Sequence, residues 1–417
     1  MYLIPFWSYR PTATDVVITN SITNHKRSVP QALLEALHDL HVGRAPGACT
    51  DEARQLGREL GILFESEAVA EAHLRAQEDA WQRDVPVVDQ IELTNRCPYS
   101  CKMCPRTSSM DRALGNMSLG LFGEVIEQIA GHQPYVGLHH FGESLLHEGL
   151  PQAISLAEAA GVKTGLSCNP PSLHPALAQR ILKSGIANLV LSLDSLDAAT
   201  YRSIRGKVAL FDRANDHVRE LIKLRNEGNF STFISLQMIR MHVNAGEADR
   251  FLDYCREVGV DRGVVIRLGR WDFEDEQMAE LGEYTSPGYT AWCNRPWTSL
   301  VVLWDGRVVP CCHDYNGAVI LGDLTKQSLA EIWQGEAARR FRAQNSQYEL
   351  CRRCAFSRYY RQNQRDQEGF MQFHRERHAV GGRREWFNDQ SPVRDTCLFD
   401  GFDVWGEESQ SSAADQP

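Results

Sequence analysis

Three cysteines lie within one short segment of the chain, at Cys97, Cys101 and Cys104. Pro98 and Pro105 flank them, and because proline cannot continue a helix, the segment is predicted to form a loop. Closely spaced thiolates are typical ligands of zinc and of iron–sulfur clusters. A structural zinc site normally has four ligands, arranged as two pairs. Three local thiolates therefore indicate a metal centre with one coordination position open to a substrate or cofactor.

A second group of cysteines lies further along the chain, at Cys293, Cys311, Cys351 and Cys354. Leu300–Trp304 and Arg307–Pro310 predict a β-hairpin, with Asp305-Gly306 supplying the positive backbone angles of a tight turn. The hairpin would bring Cys293 and Cys311 to one end, and a helical stretch at Ser328–Arg342 precedes the last two cysteines. Four thiolates complete a site without an open position, and chemistry alone leaves zinc and an iron–sulfur cluster equally possible.

The elements that must position these residues follow from hydrophobic periodicity, because short β-branched runs alternate with longer amphipathic segments. The predicted strands are Val87–Thr94, Val136–Phe141, Lys163–Ser167, Asn188–Asp194, Phe233–Ile239 and Gly263–Leu268. The predicted helices are Leu119–Ile129, Leu150–Ala160, Pro175–Lys183, Phe211–Asn226 and Glu247–Val258. This alternation predicts an α/β fold with a parallel sheet and right-handed crossovers, either open or part of a barrel.

The unusual polar residues fall at the carboxyl ends of the predicted strands. The cysteine loop follows the first strand, and the next three strands are followed by Gly142-Glu143, Cys168-Asn169 and Ser192-Leu193-Asp194. Active sites of β/α barrels form at that face of the sheet. The sequence therefore predicts one shared pocket there.

The three-cysteine spacing, together with the strand pattern over residues 87–270, resembles the radical S-adenosylmethionine (radical SAM) superfamily. The resemblance implies a partial (β/α)6 barrel and a [4Fe-4S] cluster on Cys97, Cys101 and Cys104, whose free iron binds S-adenosylmethionine. The residues that it implies for the cofactor are Met103 over the adenine, Gly142 and Glu143 at the methionine amino group, and Asn169, Ser192 and Asp194 at the ribose and carboxylate. Phe141 stands where many members have a glycine, and Met103 replaces the usual aromatic residue.

The second cysteine group resembles the shortened SPASM, or twitch, region of radical SAM enzymes, a β-hairpin plus helix that carries one auxiliary [4Fe-4S] cluster. The matching positions are Cys293, Gly306, Cys311 and Cys351-x-x-Cys354. This resemblance favours an iron–sulfur cluster over zinc at the second site.

Residues 1–86 contain no metal pattern. Their predicted elements are strands at Val16–Thr19 and Ile62–Phe64 and helices at Pro30–Leu40 and Asp51–Leu60. The pattern resembles a small winged-helix domain that binds leader peptides, and the alternative is an α+β domain that only covers the barrel.

Four domains are predicted along the chain: residues 1–86, the barrel 87–285, the auxiliary-cluster region 286–360 and an extension 361–417. The extension is predicted to be partly disordered, with a solvated helix at Arg361–Arg384.

Composition restricts the class of partner. The chain has 417 residues, 43% of them hydrophobic. Its formal charge of −10 argues against non-specific electrostatic binding to nucleic acid or to an anionic membrane. No apolar run reaches the roughly 18 residues that a membrane helix needs, and Met1 to Trp7 lacks the pattern of a signal peptide. We therefore expect a cytoplasmic protein whose cysteines are reduced.

The resemblance implies an enzyme that forms a 5′-deoxyadenosyl radical and removes hydrogen from a substrate carbon. The second-site spacing is closest to aminocyclitol and sugar dehydrogenases of antibiotic biosynthesis, which predicts oxidation of an alcohol to a ketone with the auxiliary cluster accepting the second electron. Arg240, Arg267 and Arg270, at the last strand ends, are candidates to bind the substrate there.

Two other enzyme classes stay open, as does a non-enzymatic iron–sulfur or zinc protein. An epimerase would need a thiol that returns hydrogen, and Cys312 is the candidate. A peptide maturase would use residues 1–86 for its leader peptide. The expected partners are a small-molecule or peptide substrate and a reductant of the flavodoxin or ferredoxin type.

Replacing Cys97, Cys101 and Cys104 together with alanine is expected to abolish cleavage of S-adenosylmethionine, because only this site has an open coordination position. The second cysteine group should keep its own cluster in that variant. Chromatography of 5′-deoxyadenosine and elemental analysis of iron and zinc measure the two effects. Release of 5′-deoxyadenosine above background would refute the first assignment, and zinc in place of iron would refute the second.

Overall fold

The computed structural model describes residues 86–269, 271, 276–282 and 295–354, together with short segments between residues 2 and 72 and the strand Arg384–Phe387. Cys293 and Arg270 lie outside the described residues, as do residues 31–50 and most of residues 355–417. None of the helices that are described is long and apolar enough to cross a membrane.

The N-terminal segment has both strands and a helix. Its elements are β1 (Tyr2–Leu3), β2 (Trp7–Pro11), β3 (Asp15–Asn20), β4 (Lys26–Pro30), α1 (Asp51–Glu59) and β5 (Leu63–Phe64). Strands β2, β3 and β4 form an antiparallel sheet, and β1 pairs antiparallel with β5. The predicted strands and the helix from Asp51 are confirmed. The helix predicted from Pro30 is wrong at its first residue, because Pro30 pairs with Asp15 at the end of a strand, and residues 31–40 lie outside the described part.

The main body alternates strands and helices, as the periodicity predicts. Its strands are β6 (Val87–Ile91), β7 (Tyr135–Gly137), β8 (Lys163–Cys168), β9 (Asn188–Ser192), β10 (Phe233–Arg240) and β11 (Arg262–Arg267). Its helices are α2 (Pro105–Ser108), α3 (Leu119–Ile129), α4 (Leu150–Ala159), α5 (Pro175–Lys183), α6 (Ala198–Arg205), α7 (Phe211–Glu227), α8 (Ala248–Val258) and α9 (Glu276–Leu281). Helix α6 is absent from the sequence prediction, and the Asp197 carboxylate caps it by accepting a hydrogen bond from Thr200 N at 2.7 Å.

The C-terminal part that is described adds short elements. They are α10 (Arg295–Thr298), β12 (Ser299–Val302), β13 (Arg307–Val309), β14 (Gly322–Asp323), α11 (Leu329–Gln334), α12 (Glu336–Gln344), α13 (Glu349–Arg353) and β15 (Arg384–Phe387). The single helix predicted over Ser328–Arg342 is therefore two helices that meet at Gly335. Arg384, expected at the end of a helix, lies in a strand.

The sheet joins the barrel strands to the C-terminal hairpin. Its order is β14-β13-β12-β6-β7-β8-β9-β10-β11-β15. Strands β6 to β11 run parallel to one another, whereas β15 pairs antiparallel with β11. Strand β12 also pairs in parallel with β6, with a register shift between Leu300 and Val301. The sheet thus continues across the boundary predicted between residues 285 and 286.

The hairpin between β12 and β13 confirms the predicted turn in part. Leu303 N donates to Arg307 O at 2.8 Å, and Gly306 N donates to Leu303 O at 3.0 Å. Gly306 has a φ of +87°, which glycine adopts without strain, but Asp305 does not take a positive φ. Glycine alone supplies the positive backbone angle.

The core lies between the sheet and its helices. Every residue of β9 is buried, as expected for a parallel strand that is covered on both faces. Helix α7 buries Ala214, Val218, Leu221 and Ile222, a spacing that forms one apolar stripe.

A buried ion pair fastens α7 to two strands. The Arg225 guanidinium donates to both oxygens of Asp261 at 3.0 and 2.9 Å, and both side chains are at most 2% exposed. The same carboxylate accepts a hydrogen bond from Ile234 N at 2.6 Å in β10. Breaking such a pair from one side leaves an uncompensated charge in the interior.

Asp261→Ala is expected to lower the free energy of unfolding by about 3–5 kcal/mol, because Arg225 stays buried without its partner. Glu257→Ala is the matched control, because it removes the exposed ion pair with Arg219, whose two side chains are 44% and 66% exposed. That control should cost less than about 1 kcal/mol. Guanidinium denaturation followed by circular dichroism measures both, and equal losses would contradict the argument.

Candidate functional site

The cysteine loop follows β6 and is held by the end of helix α6. Ser100 N donates to Arg205 O at 3.2 Å, and Lys102 N donates to Ile204 O at 2.9 Å. Cys101 is buried, while Cys97 and Cys104 are half-buried. The loop therefore has a fixed main chain although it contains little regular structure.

The three thiols are in an environment that disfavours free thiolates. Burial, reinforced by the charge of Glu143, raises the pKa of Cys97 to about 12. Burial also raises the pKa of Cys101 to about 11, against the charge of Arg205, and raises the pKa of Cys104. Bonds to iron would supply the positive charge that stabilises thiolates here. A set of soft sulfur donors on one loop, too buried to ionise readily alone, fits an iron–sulfur cluster.

The described residues do not converge on a single ion. No group of three His, Cys, Asp or Glu side chains among them is arranged to hold one metal ion. A four-iron cluster binds each thiolate to a different iron, so its ligands need no such convergence. The arrangement of the loop is therefore compatible with a cluster.

Arg205 connects the cysteine loop to the strand ends. Its Nε donates to Asp194 Oδ2 at 2.6 Å, and its Nη1 donates to Asn169 Oδ1 at 2.6 Å and lies 3.9 Å from Cys101 Sγ. The other oxygen of Asp194 accepts a hydrogen bond from Ile239 N at 2.8 Å. A buried arginine thus joins the ends of three strands to the loop.

Glu143 is fully enclosed at the same place. Its Oε2 accepts hydrogen bonds from Asn169 N at 2.9 Å and Asn169 Nδ2 at 2.8 Å. Burial raises the pKa of Glu143 to about 7, although the Asn169 hydrogen bonds oppose the shift. An ammonium group bound beside it would favour the ionised form, which suits the predicted contact with the methionine amino group.

Gly142 brings the backbone against the start of the cysteine loop. A Cβ atom at this position would lie 2.0 Å from Thr94 O and 2.9 Å from Asn95 Cα, both main-chain atoms. Glu143 N also donates to Arg96 O at 2.8 Å. The close approach requires glycine and forms a cradle that a side chain would fill. Strand β7 ends at Gly137, short of the predicted Phe141, so Gly142 lies in the loop that follows the strand.

The remaining predicted cofactor residues are nearby. Ser192 is buried, with its Oγ 3.5 Å from Ser167 Oγ. Asp194 is fully buried and forms an ion pair with Arg205. Met103 is 6% exposed and directly precedes Cys104. The structure thus brings Glu143, Asn169 and Asp194 into one network around Arg205, and their individual contacts with a cofactor stay predictions.

The second cysteine group is described in part. Cys311, Cys351 and Cys354 are half-buried, and Cys293 lies outside the described residues. Arg295 donates to Asp89 Oδ2 in β6 at 2.7 Å, and the charges of Cys312, Asp89 and Cys311 raise its pKa against the effect of burial. This segment therefore packs against the strand that leads to the first cysteine loop.

Cys312 is buried beside Val301, Leu303 and Val309 in a small apolar cluster. Val301 pairs with Gln90, so this cluster shares the Gln90 face of the sheet. Its predicted role as a hydrogen donor stays a prediction.

A buried salt bridge ties the two cysteine regions together. Arg112 donates to the two oxygens of Glu92 at 2.8 and 2.6 Å, and its Nε donates to Tyr315 O at 2.6 Å. Glu92 directly follows β6, and Tyr315 follows Cys311 closely in the chain. Arg112 and Arg205 carry no signal in the sequence, because nothing in the spacing of these arginines marks them as partners of distant residues.

Half-buried polar residues line the inner side of the sheet. They are Ser167 in β8, Gln237 in β10, and His139 and His140 after β7. Gln90 joins the histidines, with its Nε2 3.3 Å from His139 Nε2 and its Oε1 3.0 Å from His140 Nδ1. Burial lowers the pKa of His139 to about 4 and also lowers the pKa of His140, so both rings are neutral at pH 7.

The arginines predicted to bind the substrate do not belong to this polar lining as far as they are described. Arg240 is half-buried and pairs in register with Arg267. Side chains alternate along a strand, so Arg240 shares the face of the buried Met238, opposite Gln237. The side chain of Arg267 and all of Arg270 lie outside the described residues, and the catalytic role of these arginines stays a prediction.

Comparison with known proteins identifies two domains. Residues 91–236 match the radical SAM superfamily, and residues 293–355 match the SPASM iron–sulfur cluster-binding domain. The predicted barrel, the auxiliary-cluster region and the cofactors are thereby confirmed. The cofactors are S-adenosylmethionine, the cluster that binds it and an auxiliary iron–sulfur cluster.

Several curated proteins are similar to the chain. The tungsten-containing aldehyde ferredoxin oxidoreductase cofactor-modifying protein of Pyrococcus furiosus is 24% identical over 64% of this chain and 86% of its own length. The PqqA peptide cyclase of Granulibacter bethesdensis is 21% identical over 63% and 78%. The S-adenosyl-L-methionine-dependent 2-deoxy-scyllo-inosamine dehydrogenase of Niallia circulans is 19% identical over 64% and 91%.

Among solved structures, Streptococcus suis SuiB bound to precursor peptide SuiA matches with a TM-score of 0.54. The match covers 85% of this chain and 93% of SuiB at 12% identity. At this identity the similarity concerns the fold.

Gly142→Ala is expected to weaken binding of S-adenosylmethionine by about tenfold or more, because the new methyl group collides with main-chain atoms that cannot move aside. Gly123→Ala in helix α3 is the matched control, since a Cβ there meets nothing within 4 Å. The control should raise the free energy of unfolding by about 0.5–1 kcal/mol and leave cofactor affinity unchanged. Equilibrium dialysis on the reconstituted proteins measures affinity, and full binding by Gly142→Ala would contradict the cradle.

Proposed function

We propose that this chain, which belongs to the radical SAM superfamily and is an iron–sulfur enzyme with a SPASM domain, oxidises an alcohol of a sugar or aminocyclitol to a ketone in natural-product biosynthesis. Its auxiliary cluster would accept the second electron of the oxidation. A flavodoxin- or ferredoxin-type protein would supply the electron that starts each turnover. We place the reaction in the cytoplasm, because electron carriers of this type and reduced cysteines occur together there.

The observation that carries this proposal is the continuity of the sheet. Strand β6 leads into the loop of Cys97, and β12, its parallel neighbour, begins the hairpin that leads to Cys311. The Glu92–Arg112 pair and the Arg112–Tyr315 hydrogen bond add fixed contacts between the two regions. Two redox centres on one sheet suit a reaction in which one centre starts the oxidation and the other completes it.

The residues that would hold the first cofactor are Cys97, Cys101 and Cys104 for the cluster, with Gly142 and Glu143 for the amino group. Once bound, S-adenosylmethionine and its cluster supply the radical that takes hydrogen from an unactivated carbon. The protein's contribution is to position both partners and to exclude water. Neutral His139 and His140 offer ring nitrogens for a hydrogen bond with a substrate hydroxyl group.

The polar lining of the barrel supports a hydroxylated substrate. Ser167, Gln237, His139 and His140 present donors and acceptors on half-buried surface. Such groups discriminate strongly in favour of a ligand that hydrogen-bonds to them. The similarity to the 2-deoxy-scyllo-inosamine dehydrogenase of Niallia circulans supports the same substrate class.

A peptide substrate is the second candidate. It is supported by the similarity to PqqA peptide cyclase and by a fold similar to SuiB, a protein solved with its precursor peptide. The N-terminal strands and helix would then bind a leader sequence. Epimerisation of a sugar or peptide is a third possibility, with Cys312 returning the hydrogen atom.

Incubation of the reconstituted enzyme with S-adenosylmethionine, a low-potential reductant and 2-deoxy-scyllo-inosamine is expected to give a ketone lighter by two hydrogens. 5′-Deoxyadenosine should form in equal amount, because each oxidation consumes one molecule of cofactor. Mass spectrometry and chromatography measure the two products. Cys312→Ser should slow but not abolish this turnover.

An epimerase would behave differently in deuterated buffer. Its product would keep its mass in water and gain one deuterium in deuterated buffer, because the quenching thiol exchanges with solvent. Deuterium incorporation by the wild type, lost in Cys312→Ser, would replace oxidation with epimerisation. Absence of reaction with aminocyclitols, together with modification of a peptide, would favour the maturase.

A further inference from the structure

Trp271 lies just beyond the last barrel strand and contacts the first cysteine loop. Its Nε1 donates a hydrogen bond to Met103 O at 3.2 Å. Met103 directly precedes Cys104, so this bond fixes the peptide group that joins them. The side chain of Met103 is the one expected to cover the adenine of S-adenosylmethionine.

The indole ring also contacts two other segments of the site. Its centroid lies 5.1 Å from that of Phe141 in an edge-to-face arrangement, and 5.0 Å from that of His313 in a tilted one. Phe141 precedes Gly142, and His313 follows Cys311-Cys312. Phe141 further contacts the ring of Tyr315 at 5.7 Å. One side chain therefore touches the cysteine loop, the glycine–glutamate segment and the auxiliary-cluster segment.

These contacts join parts of the chain that regular structure does not join. The carbonyl of Met103 belongs to a loop, outside both helix and strand, so no hydrogen bond of regular structure fixes its direction, and the Trp271 indole supplies a donor. The ring contacts add stabilisation beyond the area that they bury. Losing the hydrogen bond alone would free the peptide group while the ring contacts could persist in a phenylalanine.

We propose that Trp271 is a positioning residue for the cofactor: through Met103 it sets the orientation of the loop that binds S-adenosylmethionine, and through Phe141 and His313 it holds that loop against the auxiliary-cluster segment. The role concerns cofactor binding and holds for any substrate. It can therefore be tested without knowing which substrate the enzyme uses, and failure of the alcohol oxidation would not affect it.

The test compares two substitutions at Trp271 with a matched control. Trp304 makes the same kind of bond, from its Nε1 to Ala113 O at 3.3 Å, but lies on the hairpin side of the sheet. Trp271→Phe keeps a ring and loses the hydrogen bond, Trp271→Leu loses both, and Trp304→Phe removes the control bond. S-adenosylmethionine affinity is measured by equilibrium dialysis on holoenzymes of matched iron content.

Trp271→Phe is expected to weaken S-adenosylmethionine binding about threefold to tenfold, and Trp271→Leu further. Trp304→Phe should bind within about twofold of the wild type. The electron paramagnetic resonance spectrum of the reduced first cluster, which reports cofactor contact directly, should respond less to S-adenosylmethionine in Trp271→Leu than in the wild type. Recovery of most of that response in Trp271→Phe would support positioning by the ring.

Two results would overturn the proposal. One is affinity within about twofold of the wild type in both Trp271 variants. The other is an equal loss in Trp271→Phe and Trp304→Phe, which would indicate a general effect of removing a half-buried tryptophan. If Trp271→Leu fails to take up iron, the comparison of the two phenylalanine variants decides alone.

Discussion

The parallel pairing of Ser299–Val302 with Val87–Ile91 is the constraint on which the arrangement of this enzyme depends. Main-chain hydrogen bonds fix the register of the two strands, and a slip by one residue would move every side chain to the opposite face of the sheet. One strand leads to the loop of Cys97 and the other to the hairpin before Cys311. The relative position of these two segments is therefore set by backbone geometry. The Glu92–Arg112 pair and the Trp271–Met103 hydrogen bond add side-chain contacts to that arrangement.

Buried charge is compensated locally throughout the site. Arg205 is matched by Asp194, Arg112 by Glu92 and Arg225 by Asp261, all with side chains at most 7% exposed. Glu143 differs, because its partners are the neutral groups of Asn169 and its pKa rises to about 7. A carboxylate that burial leaves partly protonated is suited to receive a cationic ligand, whereas the paired carboxylates are already neutralised. The contrast distinguishes Glu143, whose hydrogen bonds come from neutral groups, from the carboxylates that are paired with arginine.

The inner side of the sheet has a different character from its helix-facing side. Leu189, Leu191 and Leu193 are completely buried, and alternation puts them on the face opposite Ser167 and Gln237, which lie on half-buried surface. Neutral histidines beside Gln90 add hydrogen-bonding capacity without charge. A lining of this kind suits a polar, uncharged part of a substrate, such as a hydroxyl group, which is common to the cyclitol and peptide candidates. The choice between them depends on the segments around this lining rather than on the lining itself.

The sequence by itself determined the strand and helix alternation, the cysteine groups, and the glycine–glutamate and Ser-x-Asp positions, because each is a local pattern of residue type and spacing. Helices α3 and α5 have the predicted bounds for the same reason. Tertiary structure alone decided that β12 joins the barrel sheet, that Arg205 bonds to Asp194 and Asn169, and that Trp271 reaches Met103. These pairs are separated by many residues, and no local pattern encodes which side chains meet once strands are stacked in register. Hydrophobic periodicity does not indicate helix α6, because this helix is short and is capped by Asp197. Arg240 lies at a strand end, but only the register of the sheet shows that it is on the face opposite Gln237.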